Sequence, residues 1–359
     1  MDPMAKRRRH AVTIRAVAER AGVSAMTVSN VVNGAGRASA ATVATVHAAI
    51  AELGYVPNLT ARRLAKARAT TVGLVYSDRR TPFLDAVLVG TLRATNAHGL
   101  QLILRDGEGV TRGEAEGIAR DLVRSGADAL LLIPPFAELL SGSAVLAKLG
   151  VPVAAIATGT ALPDVTTVRI DNRAAMFSIT ERVIARGHRR IAYVAGPDHY
   201  SVVAARLEGF RDALRKHAIA EDSQLLLHHS EFDYASGVAA GRVLLERHDR
   251  PTAIICSSDD LAAGVIAQAN RTGLRLPVDL AVTGFDDTIL ASRIWPPLTV
   301  VRQPVEDMAF RATQCLIAAL GKADDAGAPS DEIFDHDILE RESTSVTMPC
   351  TGDPPRCDA

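Results

Sequence analysis

The sequence predicts an α/β protein: a small all-α head followed by a two-lobed core of parallel sheets. Three observations carry this. From about residue 70, apolar runs of β type alternate with helical patterns of roughly 12–18 residues, the mark of βαβ units. Residues 13–53 instead carry three short helical stripes, with a glycine between the first two. The charge divides at the same place. Residues 1–69 hold 11 Lys+Arg against 3 Asp+Glu, a net of +8, and the remainder holds 29 against 38, a net of −9. A basic head on an acidic body predicts that the head alone meets a polyanion.

In the head, Thr13 is a good N-cap for a helix with Ile14, Val17, Ala18 and Ala21 at helical spacing. Gly22 ends it in a tight turn. Ser24 caps a second helix that buries Val28, Val31 and Val32. Its opposite stripe is Met26, Ser29, Asn30 and Asn33, none a strong core residue. Ser39 caps a third helix with Val43, Val46, Ile50 and Leu53 inside. This is the layout of a helix-turn-helix, whose second helix enters a DNA major groove. Spacing alone fits a plain three-helix bundle equally well.

In the body, strands are expected at 71–76, 100–104, 129–133, 151–157, 167–170, 190–195, 253–256 and 280–284. The stretch is too long for one sheet, so two similar lobes are expected, with the break near Asp171–Asn172. Late strands at 299–302 and 334–340 return the chain to the lobes, with crossovers near 298 and 330. Trp295, beside Pro296 and Pro297, reads as a packing anchor at such a crossover. A bilobed shell of this kind binds small ligands in the cleft at the strand C-terminal ends.

Composition excludes other classes. With 48 % hydrophobic and 23 % charged residues the chain is of ordinary globular type. No apolar run is long enough to span a bilayer. No signal-peptide core follows Lys6–Arg9, so a cytoplasmic location is expected. Cys256, Cys315, Cys350 and Cys357 lack CxxC spacing, which argues against a disulfide framework and a zinc site. His228-His229 reads as a strand end. GxSxG, HExxH and P-loop patterns are missing, and Gly34-Ala35-Gly36 lacks both a preceding strand and a third glycine. An enzyme, a cofactor and a metal are therefore not expected.

The literal residues go further. "TIRAVAERAGVSAMTVSNVVNG" (13–34), followed by "AAIAELGYVPNLTARRLA" (48–65), resembles the start of the lactose-repressor (LacI/GalR) family of bacterial transcription regulators. Thr13, Ser24, Thr27, Ser29 and Asn33 offer hydroxyls and an amide near a helix N-terminus, which suits phosphate oxygens. The resemblance makes them backbone-positioning residues, together with Tyr55. It places Ala25, Met26 and Asn30 at base edges, where Asn pairs with adenine and apolar groups suit a thymine methyl. Asn30 replaces a frequent Arg, so the operator should differ at that base pair. Residues 57–64 look like the family's hinge, with Asn58, Ala61, Arg62 and Arg63 at the minor groove and Leu64 as the wedge that opens a base step.

The body resembles the same family, and periplasmic sugar-binding proteins, through "ARGHRRIAYVAGP" (185–197), "ARLEGFRDAL" (205–214), "SSDDLAAG" (257–264), "VTGFDD" (282–287) and "PPLTVVRQP" (296–304). The implied core is periplasmic-binding-protein-like. By that resemblance Arg206 hydrogen-bonds ligand hydroxyls and Asp286 is its acidic partner across the cleft. Phe232 stands where an aromatic meets the apolar face of a sugar. Gln303 lies at the crossover, and Phe83 on the first-lobe side. Ser258 occupies a position where Asn is common, and Ala157-Thr158 replaces a frequent Asp-Arg pair. A sugar is the first expectation, with nucleosides and phosphorylated sugars left open.

The expected partition is a DNA-binding head at 1–56, a hinge at 57–69, an effector-binding and dimerisation core at 70–345, and a disordered tail at 346–359. The tail has no leucine heptads for a tetramer, so a homodimer on a pseudo-palindromic double-stranded operator is expected. The expected function is that of a repressor controlled by a small sugar-like effector, with no membrane partner. A solute-binding protein and a sugar-metabolising enzyme with a regulatory head are the rival readings.

Overall fold

In the computed structural model the apolar runs of the body become strands covered on both faces, as parallel sheets require. Residues 129–132 (Ala-Leu-Leu-Leu) and 191–195 are buried at every position. The structure describes residues 14–32, 39–53, 70–76, 81–107, 111–321 and 329–345. The chain separates into two units, Met1–Ala69 and Thr70–Ala359.

Among the described residues the first unit has three helices, α1 (Ile14–Ala21), α2 (Ala25–Val32) and α3 (Ala40–Leu53). Gly22 takes a left-handed φ of 64°, which a side chain would resist, and so turns α1 into α2. The Thr27 N–H donates to Ser24 Oγ at 3.0 Å, and the Thr42 N–H donates to Ser39 Oγ at 3.2 Å, capping α2 and α3. Val17, Ala18, Ala21, Val28, Val46 and Ala49 form the small core. Arg20 pairs with Glu52 at 2.7 Å across α1 and α3.

The second unit holds two six-stranded sheets. The first is built from β1 (Thr71–Tyr76), β2 (Gln101–Asp106), β3 (Ala129–Leu132), β4 (Val153–Ile156) and β5 (Thr166–Ile170). Its order is β2-β1-β3-β4-β5, all parallel, with Thr71 opposite Gln101 and Val72 opposite Ala129. The second is built from β6 (Ile191–Ala195), β7 (Leu226–His228), β8 (Ala253–Cys256), β9 (Ala281–Asp286) and β10 (Thr299–Arg302). Its order is β7-β6-β8-β9-β10, so each sheet reverses direction of winding once, between β1 and β3 or between β6 and β8. Ligand crevices form outside the strand C-terminal ends at such reversals.

Two late strands complete the sheets. β11 (Asp331–Phe334) adds parallel to β5, and β12 (Asp337–Leu339) adds antiparallel to β10. The single strand expected at 334–340 is therefore two, because the chain changes sheets at Asp335–His336. The other passages fall at Asp171, after β5, and at Gln303–Pro304, after β10. The helix Val305–Leu320 that follows β10 packs on the first sheet, so the second crossover lies a few residues beyond 298 and the third beyond 330. Edge strand β7 is a short element that the sequence pattern did not single out beyond its end at His228-His229. Trp295 is 76 % exposed and anchors nothing; Leu298 fills the core at that point instead.

Close helix packing relies on glycine. Helices Tyr234–Leu245 and Asp259–Arg271 meet so tightly that a Cβ on Gly264 would lie 2.2 Å from the Tyr234 carbonyl oxygen. Gly264→Ala should therefore cost about 1–3 kcal/mol. Urea denaturation of the full chain should show a lower midpoint with an unchanged slope.

Candidate functional site

In the head, α2 presents Met26 to solvent at 71 % exposure. Ala25 is half-buried against the head core, and Thr27 Oγ1 lies 2.9 Å from Ser24 Oγ. Ser29 and Asn30 lie within α2, but their side chains are outside the described residues. Thr13, Asn33, Tyr55, Asn58, Ala61, Arg62 and Leu64 also lie outside them.

The cleft of the second unit is a cavity of about 280 Å³. Every lining residue follows the C-terminal end of a strand. Thr81, Phe83 and Leu84 come after β1, Ile133 and Pro134 after β3, and Ala157 after β4. Tyr200, Val202 and Arg206 follow β6, and Glu231, Phe232 and Asp233 follow β7. Ser258 and Asp260 follow β8, Asp286 ends β9, and Gln303 follows β10. All six core residues expected from the sequence thus line one cavity.

Arg206 is its buried cation, 5 % exposed, on the helix Ser201–Lys216. Its Nε donates to Asn172 Oδ1 at 2.8 Å and one terminal nitrogen donates to the Ser257 carbonyl at 2.6 Å. The other lies 3.8 Å from Asp286 Oδ1, and the guanidinium stacks 3.6 Å from the Phe285 ring centre. Gln303 Nε2 donates to Asp286 Oδ1, so the expected pair is joined by a third residue. Burial pushes the Asp286 carboxyl up to about 6, against the pull of Arg206 and Gln303. Asp286 and Asp287 both hold positive φ, 111° and 60°, and Ala157 holds 54°. Such strained residues gather where a site needs a particular exit from a strand.

The aromatic side is built around Gly196. A Cβ there would lie 2.3 Å from the Phe232 ring, so the missing side chain is what seats Phe232. Tyr200 meets Phe232 edge-on at 5.5 Å between ring centres. Ser258 is buried and accepts from the Leu261 N–H, capping its helix. The lobes also touch beside the cleft: the Gly159 N–H donates to Ser201 Oγ at 2.7 Å, and Ser201 donates to Glu138 at 2.5 Å.

Sequence reasoning missed Tyr200, Glu231, Asp233 and Asp260. The usable signal was positional, since each stands just past a strand end. Asp259, beside Asp260, is buried with Oδ2 accepting from the Thr288 N–H at 2.7 Å. Among the described residues no group of three or more His, Cys, Asp or Glu could hold a metal ion, and no helix is long and apolar enough to cross a membrane.

Residues 13–58 match the family described as bacterial regulatory proteins, lacI family, and residues 180–344 match the periplasmic binding protein-like domain. The transcriptional regulator CelR of Thermobifida fusca is 34 % identical over 348 residues, covering 94 % of this chain and 99 % of CelR. The transcriptional regulator GalR of Escherichia coli K12 is 32 % identical over 337 residues, covering 93 % and 96 %.

The chain belongs to the LacI family.

It is a DNA-binding transcriptional regulator, and its relatives are regulators rather than enzymes. The structure of the CelR–cellobiose complex aligns with a TM-score of 0.68 at 33 % identity, over 92 % of this chain and 99 % of that one. A lac repressor dimer bound to operator and the anti-inducer ONPF aligns with a TM-score of 0.75 at 25 % identity, over 93 % and 99 %. In this LacI-family regulator the raised Asp286 carboxyl has a pH consequence. The folded state takes up its proton near pH 6 and the unfolded state near 4, so this group stabilises below about 4 and that contribution is lost as pH rises through about 6. From pH 7 to 4.5 the native chain should gain on the order of 1–3 kcal/mol over Asp286→Asn. Urea denaturation of both proteins at the two pH values measures it, and a constant difference would contradict the assignment.

Proposed function

We propose that this regulator is a repressor whose operator affinity is set by a sugar bound between the two lobes of its core. The observation that carries this is the meeting of Arg206, Asp286, Gln303 and Phe232 in one cavity where the chain passes between lobes. Carboxylate oxygens accept hydroxyl protons, a guanidinium donates to hydroxyl oxygens, and an aromatic ring covers the apolar face of a pyranose. The cellobiose held by the related CelR supports a sugar as the ligand class.

In this reading the chain divides into a head at 1–56, a hinge at 57–69, a core at 70–345 and a tail at 346–359. It acts in the cytoplasm as a homodimer, because a palindromic operator needs a two-fold protein. The operator-bound dimer of the related lac repressor supports this arrangement. Ala25, Met26 and Asn30 read base edges, while Thr13, Ser24, Thr27, Ser29, Asn33 and Tyr55 hold the backbone. Asn58, Ala61, Arg62 and Leu64 enter the minor groove. Ligand and operator are linked through one two-state element, the angle between the lobes.

Arg206→Ala should abolish the effect of sugar on operator binding while operator affinity without sugar is retained. Gel-shift titration with and without ligand separates the two, and loss of operator binding itself would make Arg206 structural. Asn30→Ala should change preference at one base pair per half-site, by about 1–3 kcal/mol. A selection over randomised operators checks this; an equal loss on all sequences would make Asn30 a backbone contact.

A further inference from the structure

Resting on the reading of the cleft as a sugar site, we propose that it takes uncharged sugars and turns away phosphorylated ones, with Asp260 and Asp233 as discriminating residues. Among the described lining residues there is one cation, Arg206, and there are four carboxylates, Glu231, Asp233, Asp260 and Asp286. The cation is already committed. Two faces of its fork are bonded to Asn172 and Ser257, and its charge is met by Asp286 at 3.8 Å. Among the described residues, a phosphate entering the cleft finds no unmatched positive charge.

The helix starts around the cleft are mostly closed to an anion too. N-terminal N–H groups are natural phosphate sites. Here the Leu84 N–H donates to Thr81, the Ser236 N–H to Asp233 at 2.8 Å, and the Leu261 N–H to Ser258. At the start of Tyr234–Leu245 the capping group is itself a carboxylate, so the dipole is met by a negative charge of the chain's own. The helix Ser201–Lys216 starts at Tyr200 with no side-chain cap, and it is where a phosphate would sit if one bound.

Asp260 and Asp233 then act in two ways. When ionised, both are acceptors only, as is a phosphate dianion, so no hydrogen bond forms between them, whereas sugar hydroxyls donate to carboxylates readily. Burial, and after it the neighbouring negative charge of Asp233, pushes the Asp260 carboxyl upward. A second anion adds to that repulsion.

The test is calorimetric titration of the full chain with matched pairs: glucose and glucose 6-phosphate, ribose and ribose 5-phosphate, cellobiose and its 6′-phosphate. At least one uncharged sugar should bind, and its phosphorylated partner should bind on the order of tenfold more weakly, or worse. Asp260→Asn and Asp233→Asn, the latter keeping a capping side chain, should each narrow that ratio. A phosphorylated sugar that binds as tightly as its partner overturns this inference and leaves the sugar reading standing. Failure of every pair to bind overturns the sugar reading and this inference with it. A ratio unmoved by both substitutions removes Asp260 and Asp233 as the discriminating residues.

Discussion

A guanidinium taken out of water costs several kcal/mol unless its charge and its N–H groups are met inside. Arg206 meets that demand with four residues from three separate pieces of chain. Asn172 begins the second lobe, Ser257 follows β8, Asp286 ends β9 and Phe285 lies beneath the fork. None of these can move far without stranding a buried charge. The second-lobe wall of the cleft is therefore held in one arrangement before any ligand arrives. Ligand hydroxyls then meet groups already in place, which lowers the ordering cost of binding.

The same cation ties the cleft to the passages between lobes. Asn172 stands just after the first passage, and Gln303, the donor to Asp286, stands at the second. A ligand that pulls on Arg206 or Asp286 therefore pulls on residues where the chain changes lobes. Ser201 makes a further link, between the Gly159 N–H and the half-buried Glu138 of the first lobe. These contacts are few and directional, so a change of lobe angle must exchange them as discrete bonds.

Much of this was legible in the sequence, for identifiable reasons. The strands read well because they are buried on both faces, so their apolar runs are unbroken. Arg206 and Asp286 each sit in a local motif, and the fold brings both to one cavity. What failed is what depends on distant chain. Phe334 to Glu340 looks like one strand, and only the sheet partners of β11 and β12 split it at Asp335–His336. Trp295 looked like an anchor beside its prolines, but Leu298 points into the core and the indole is left outside. Tyr200 stood out only by its place past a strand end, because its contact with Phe232 depends on β6 and β7 lying side by side.

Asp233 and Asp260 show why a cleft's charge is hard to read from sequence. Each has an ordinary local reading: Asp233 is an N-cap, and Asp260 stands in the first turn of a helix, where a negative charge suits the dipole. The fold gives them a second role by bringing both helix starts to one wall. Parallel sheets make this general. The C-terminal ends of the parallel strands in a lobe face the same way, so the helix starts that follow are gathered there as well, with their capping acids. The local chemistry of helix capping thus sets the electrostatics of the cleft. In this cleft the capping acids are separate from the buried cation that holds the wall, so altering a cap changes the charge a ligand meets without rebuilding Arg206.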